Sequence, residues 1–213
     1  MTTEELEYLQ AMAGTVAFAV TAVLAVTPRG IDLFGACVMG LITAIGGGTI
    51  RDLILDVPMF WATNTDYIWA ALLASLVAFF ANHLLTRKEI HELLLYIDGL
   101  GVSMFAIQAS KKVMDANFAL PLGPVILGVI TAIGGGLLRD VLAGTPTLLL
   151  RRELYAVPVT IGCTLYVFLL GYFPELAVPL GFLCMAAIFT MRAAAIYWNL
   201  ELPSWMKTRS KLD

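Results

Sequence analysis

Two runs of this chain repeat each other at one fixed offset. Gly40-Leu-Ile-Thr-Ala-Ile-Gly46-Gly47-Gly48-Thr-Ile-Arg51-Asp52 returns 88 residues later as Gly128-Val-Ile-Thr-Ala-Ile-Gly134-Gly135-Gly136-Leu-Leu-Arg139-Asp140. From 40 to 58, eleven of nineteen positions are identical to their partners, the last being Pro58 and Pro146. That density at a single offset means internal duplication, so the fold must be built from two copies of one unit.

Each run reads as an apolar helix with a glycine triplet inside it. A helical glycine costs about 1 kcal/mol relative to alanine, so three in succession predict a break or kink. Backbone groups released at a break inside a bilayer must meet protein, an ion or water. The competing reading is close packing, since glycine gives a helix a flat face. The triplet precedes Arg-Asp in both copies, which favours a wet path beside the break.

Composition fixes the solvent. Apolar residues make up 60% of the 213 and charged residues only 14%, against about 25% charged in soluble domains. The mean hydropathy is +0.86, and the chain reads as a single integral membrane domain over 1–213. The net charge of −3 says nothing about nucleic acid, no basic patch with interleaved aromatics appears, and no nucleic-acid partner is expected. Cys37, Cys163 and Cys184 share no ligand spacing and read as small buried apolar side chains. The acidic start (Glu4, Glu5, Glu7) reads as a retained first span, not a leader.

Apolar runs long enough to span fall near 6–26, 31–57, 67–85, 90–110, 120–145, 154–170 and 176–198. The offset lays Tyr96 on Tyr8 and Gly123 on Gly35, so one repeat covers about 6–85 and the other about 90–170. An extra helix at about 176–198 and a tail at 199–213 follow. The expected fold is therefore all-α: seven transmembrane helices, two three-helix repeats plus a seventh, with helices 2 and 5 broken at Gly-Gly-Gly. Three spans per repeat invert the second copy relative to the first. One set of links carries Arg29, Arg87, Lys88, Arg151, Arg152, Lys207, Arg209 and Lys211, the other only Lys111 and Lys112. That bias places the C-terminus in the cytoplasm and the N-terminus outside, with Arg192 snorkelling to the cytoplasmic face.

Charge at membrane depth must face a bundle interior or a partner. Arg51 and Asp52 are expected toward one face, Arg139 and Asp140 toward the other. Neighbours on a helix point about 100° apart, so each of the four is expected to need a partner other than its neighbour. Carbonyls of Ile45, Gly46, Ile133 and Gly134, freed at the breaks, are hard oxygen ligands for a monovalent cation. Thr43 and Thr131, one turn earlier, add hydroxyls or bond back to their own helices. Asp98 lines the path or hydrogen-bonds Ser103 or a neighbouring helix, the structural role being favoured; its repeat partner is Gln10. Asp32 reads as an N-cap. Lys111 and Lys112 read as cations closing a helix C-terminus. His83 and His91 receive no role. Enzyme motifs are absent: no H-E-x-x-H, G-x-S-x-G or Walker loop occurs, and no cofactor is expected.

Paired Gly-Gly-Gly-x-x-Arg-Asp motifs in two three-span repeats resemble the prokaryotic TRIC (trimeric intracellular cation) channel family, also labelled a "glycine transporter" domain. The resemblance runs from about residue 6 to 198. It implies a homotrimer in a prokaryotic plasma membrane, with a pore in each subunit that conducts monovalent cations, K⁺ or Na⁺ and mainly K⁺. It carries over Gly46, Gly47, Gly48, Gly134, Gly135 and Gly136 as kinks, and Arg51, Asp52, Arg139 and Asp140 as residues at or beside the pore. Two other readings stand beside it: a secondary transporter for glycine or another small zwitterion, and a non-conducting scaffold whose glycines serve packing.

Overall fold

A computed structural model describes residues 3–81, 84, 86–150 and 154–201. Arg151, Arg152, Lys207, Arg209 and Lys211, which weigh in the charge bias, lie outside the described residues, as does His83. The described residues form eight α-helices and three short 3₁₀ turns. The helices are α1 (Thr3–Val26), α2 (Leu33–Ile54), α3 (Phe60–Thr63), α4 (Asp66–Ala81), α5 (Arg87–Asp115), α6 (Leu122–Leu142), α7 (Ala156–Tyr172) and α8 (Ala177–Tyr197). Five of them, α1, α2, α5, α6 and α8, are long and apolar enough to cross a bilayer. The apolar helices α4 and α7 are shorter, at 16 and 17 residues.

Local signals set the helix limits. Asp32 caps α2 by accepting a hydrogen bond from the Gly35 amide at 2.7 Å. A capping box starts α5, with Glu89 reaching back to the Thr86 amide at 2.7 Å. That helix runs on past the expected 90–110 to Asp115, which carries Lys111 and Lys112 inside it. Both motif helices end alike. Leu55 N–H bonds Arg51 O and Ala143 N–H bonds Arg139 O, and left-handed Asp56 and Gly144 follow. Each of these pairs is separated by the repeat offset.

Helix packing follows the duplication. α1 packs on α2 and α4 as α5 packs on α6 and α7, and α2 crosses α6 at the centre. α8 covers α5 and α7. The central apolar cluster includes Phe18, Phe105, Val159, Tyr166 and Ile188; the rings of Phe18 and Phe105 stack with centroids 5.5 Å apart. Cys163 and Cys184 are buried and Cys37 is partly buried.

The glycine triplets do not break their helices. α2 and α6 remain α-helical from end to end, and this corrects the expectation of freed carbonyls at Ile45, Gly46, Ile133 and Gly134. Breaking the ladder in lipid leaves several backbone groups unsatisfied, each costing several kcal/mol. That exceeds the roughly 1 kcal/mol saved per glycine. The triplets serve contact instead. A methyl at Gly47 would collide with the Thr131 carbonyl, and one at Gly135 with the Thr43 carbonyl. The offset exchanges these two contacts, so a local two-fold axis passes through the crossing. The later residue of α2 (Gly47) meets the earlier of α6 (Thr131) and the earlier (Thr43) meets the later (Gly135), so α2 and α6 run antiparallel, and Arg51-Asp52 and Arg139-Asp140 lie at opposite ends of the crossing.

Candidate functional site

The crossing separates two charge clusters of common origin. At the α2 end, Arg51 Nε donates to Asp52 Oδ1 at 2.8 Å and the Phe60 amide donates to Asp52 Oδ2 at 2.9 Å. At the α6 end, Arg139 Nε donates to Asp140 Oδ1 at 2.8 Å and the Leu148 amide donates to Asp140 Oδ2 at 2.9 Å. Arginine and aspartate thus pair with their own neighbours, contrary to the expectation. The divergence of adjacent Cβ atoms is overcome by the long arginine stem and by the aspartate's bond to the amide eight residues on. That second bond holds the chain returning after each helix end, so each aspartate staples its own loop.

Helix α5 supplies a different partner to each cluster. Lys112 Nζ donates to Asp52 Oδ1 at 2.7 Å. Asp98 Oδ1 accepts from Arg139 Nη1 at 2.8 Å. The two residues are fourteen apart, close to four helical turns and about 21 Å, so they share one face. Asp98 does not bond Ser103, whose hydroxyl donates to Leu100 O at 2.7 Å. Lys111 faces elsewhere, toward Asp115 at 2.6 Å and Glu7 at 3.5 Å.

The α6 cluster gains a further cation that sequence reasoning placed at the surface. Arg192 of α8 is only 1% exposed. Its Nη1 donates to Leu154 O at 2.8 Å, and its guanidinium lies 4.6 Å from the centroid of the Tyr155 ring. It sits too deep among packed helices to snorkel. A lone arginine in an otherwise apolar span was the available signal, and its partners lie on residues remote in sequence. Tyr155 is the repeat partner of Tyr67 at the α2 end, which packs edge-on against Phe60 with centroids 4.9 Å apart.

The two threonines behave differently. Thr131 Oγ1 donates to Leu127 O at 2.6 Å, a bond back along its own helix. Thr43 Oγ1 is buried and has no partner among the described residues.

A cavity enters from each end. One of about 370 Å³ reaches Arg51 and Lys112 and is lined also by Gln10, Gln108, Tyr67 and Phe105. One of about 190 Å³ reaches Asp140 between Leu24, Ile90, His91 and Leu148. Each cavity thus ends on the Arg-Asp motif of one repeat, and the glycine crossing stands between them. Among the described residues no cluster of His, Cys, Asp and Glu could hold a metal ion.

Comparison with known proteins gives consistent relatives. The family model described as "Glycine transporter" matches twice, over residues 8–83 and 95–170. The UPF0126 inner membrane protein YadS of Escherichia coli is 36% identical over 205 residues, covering 94% of this chain and 96% of that one. The TRIC trimeric intracellular cation channel orthologue from Rhodobacter sphaeroides superposes with a TM-score of 0.85 at 33% identity, over 92% of this chain and 99% of that one. A second prokaryotic TRIC channel superposes with a TM-score of 0.86 at 25% identity, over 94% and 100% of the two chains.

Proposed function

The chain belongs to the membrane-protein family described as "Glycine transporter", the same family as the TRIC channels, and from that premise we propose that it is a monovalent-cation channel. K⁺ is the main permeant ion, and each subunit of a homotrimer carries its own path. No cofactor and no enzymatic step take part. The protein sits in a prokaryotic plasma membrane with its N-terminus outside, which puts the α2 end at the outer face and the α6 end at the cytoplasm.

The carrying observation is the pair of cavities that enter from opposite ends and stop at equivalent Arg-Asp motifs. A channel needs polar access from both faces to one narrow barrier, and the inverted duplication supplies it. Beside the larger cavity Glu7 and Asp115 pair with Lys111, and Asp52 pairs with Arg51 and Lys112, so three carboxylates meet three cations and a cation entering meets a balanced field. The Arg-Asp pairs and the glycine crossing hold the two halves in register. The carbonyl ligands expected at the triplets play no part.

Proteoliposomes test the reading. Purified protein should admit ⁸⁶Rb⁺ down a K⁺ gradient without saturating at millimolar cation. Saturable uptake of labelled glycine, with no ⁸⁶Rb⁺ entry, would overturn the channel and support a carrier.

A further inference from the structure

Buried polar atoms without hydrogen-bond partners are unevenly placed. Among the described residues they are Thr43 Oγ1, Asp98 Oδ2, Arg139 Nη2, Thr147 Oγ1, Tyr155 Oη, and Nε and Nη2 of Arg192. None belongs to the Arg51–Asp52–Lys112 cluster. Five of the seven belong to the cluster at the α6 end, on side chains exposed by 4% or less.

Two of those atoms, Tyr155 Oη and Arg139 Nη2, lie around Gly136, together with the paired Oδ1 of Asp98. A methyl built there would lie 3.2 Å from Asp98 Oδ1, 3.2 Å from Tyr155 Oη and 3.5 Å from Arg139 Nη2. Its repeat partner Gly48 faces the phenyl ring of Phe60 instead. The surroundings of the two glycines have thus diverged, an aromatic ring at Gly48 and polar atoms at Gly136. The divergence comes from two charged residues with no charged repeat partner: Asp98, which replaces Gln10 of the first repeat, and Arg192, which lies outside the duplication.

We infer that the Asp98–Arg139–Tyr155–Arg192 cluster is a water-binding site and that the conduction route through this half of the subunit runs along it. An orphaned buried polar group costs about 1–3 kcal/mol. Water is the one ligand that matches this set: it accepts from guanidinium N–H groups and donates to Asp98 Oδ2. With Asp140, bonded to Arg139, the site is charge-balanced, two aspartates against two arginines, so neither a lone cation nor a lone anion fits it. Asp140 also lines the smaller cavity, so one side chain separates the site from that cavity. The route passes between α5, α6 and α8, beside the sealed glycine contact and not through it. The route rests on the channel reading; the water site does not.

Synchrotron hydroxyl-radical footprinting of the purified full chain tests the site, because radicals formed on bound water oxidise buried side chains next to it. Tyr155 should be oxidised at least fivefold faster than Phe18, which is buried in the apolar cluster at 1% exposure. Gly136→Ala should bring Tyr155 down to the Phe18 rate, whereas Gly48→Ala should leave Tyr155 as it is in the parent chain. Equal protection of Tyr155 and Phe18 in the parent chain overturns the water site. In planar bilayers Gly136→Ala should lower unitary conductance several-fold; parental conductance in that variant, with Tyr155 protected, overturns the route. A parent chain that passes no current fails the channel reading alone, since footprinting needs no current.

Discussion

Arg51 and Arg139 occupy matching positions yet carry different loads. Arg139 is fully buried and neutralises two carboxylates, Asp98 and Asp140. Arg51 touches one, Asp52, which Lys112 also holds. Removing one partner from a buried ion pair costs about 3–5 kcal/mol, because a charge is left without compensation. Arg139→Ala should therefore lower the thermal midpoint of the detergent-solubilised protein well below that of Arg51→Ala; equal losses in a melting assay would refute the difference in burial. The Arg-Asp motifs were legible as charge that needed partners. Their partners were not, because the reach of an arginine stem and the arrival of Asp98 from another helix are tertiary facts. The fourteen-residue spacing of Asp98 and Lys112 was the one trace of α5 serving both clusters, and it becomes readable only once α5 is known to extend beyond residue 110.

At the scale of a helix, the triplets raise the question of break against contact. A break that relieves strain makes the three glycines interchangeable. A crossing makes them unequal. The methyl of Gly47→Ala or Gly135→Ala would meet backbone carbonyls that have no rotamer to escape into, whereas at Gly134 the nearest neighbour is the Gly47 Cα at 3.4 Å. Overpacking costs about 1–3 kcal/mol. Gly47→Ala and Gly135→Ala should each reduce the yield of monodisperse protein in size-exclusion chromatography, by similar amounts, while Gly134→Ala behaves as the parent. Equal behaviour of all three would restore the strain-relief view. Helix number, order and pairing were written in hydropathy and in the repeat offset, which depend on local composition. Continuity through the triplets was not, because propensity at a glycine is weaker than the demand of a bilayer for satisfied backbone.

The molecule as a whole is an inverted pair of units that has kept its symmetry where backbone meets backbone and in the Arg-Asp pairs, and lost it where α5 and α8 bring further charge. Gly47 with Thr131 and Gly135 with Thr43 preserve the axis. Lys112, Asp98 and Arg192 break it, giving a larger cavity at one end and a buried, polar cluster at the other. Such a body fits passive conduction: polar access from both faces, one narrow barrier between, and no enclosed chamber for a solute in either cavity. Recording from purified protein in a planar bilayer under a tenfold KCl gradient tests this most directly. Discrete unitary currents should reverse near the K⁺ equilibrium potential, and their absence, or reversal at the Cl⁻ potential, would contradict cation conduction.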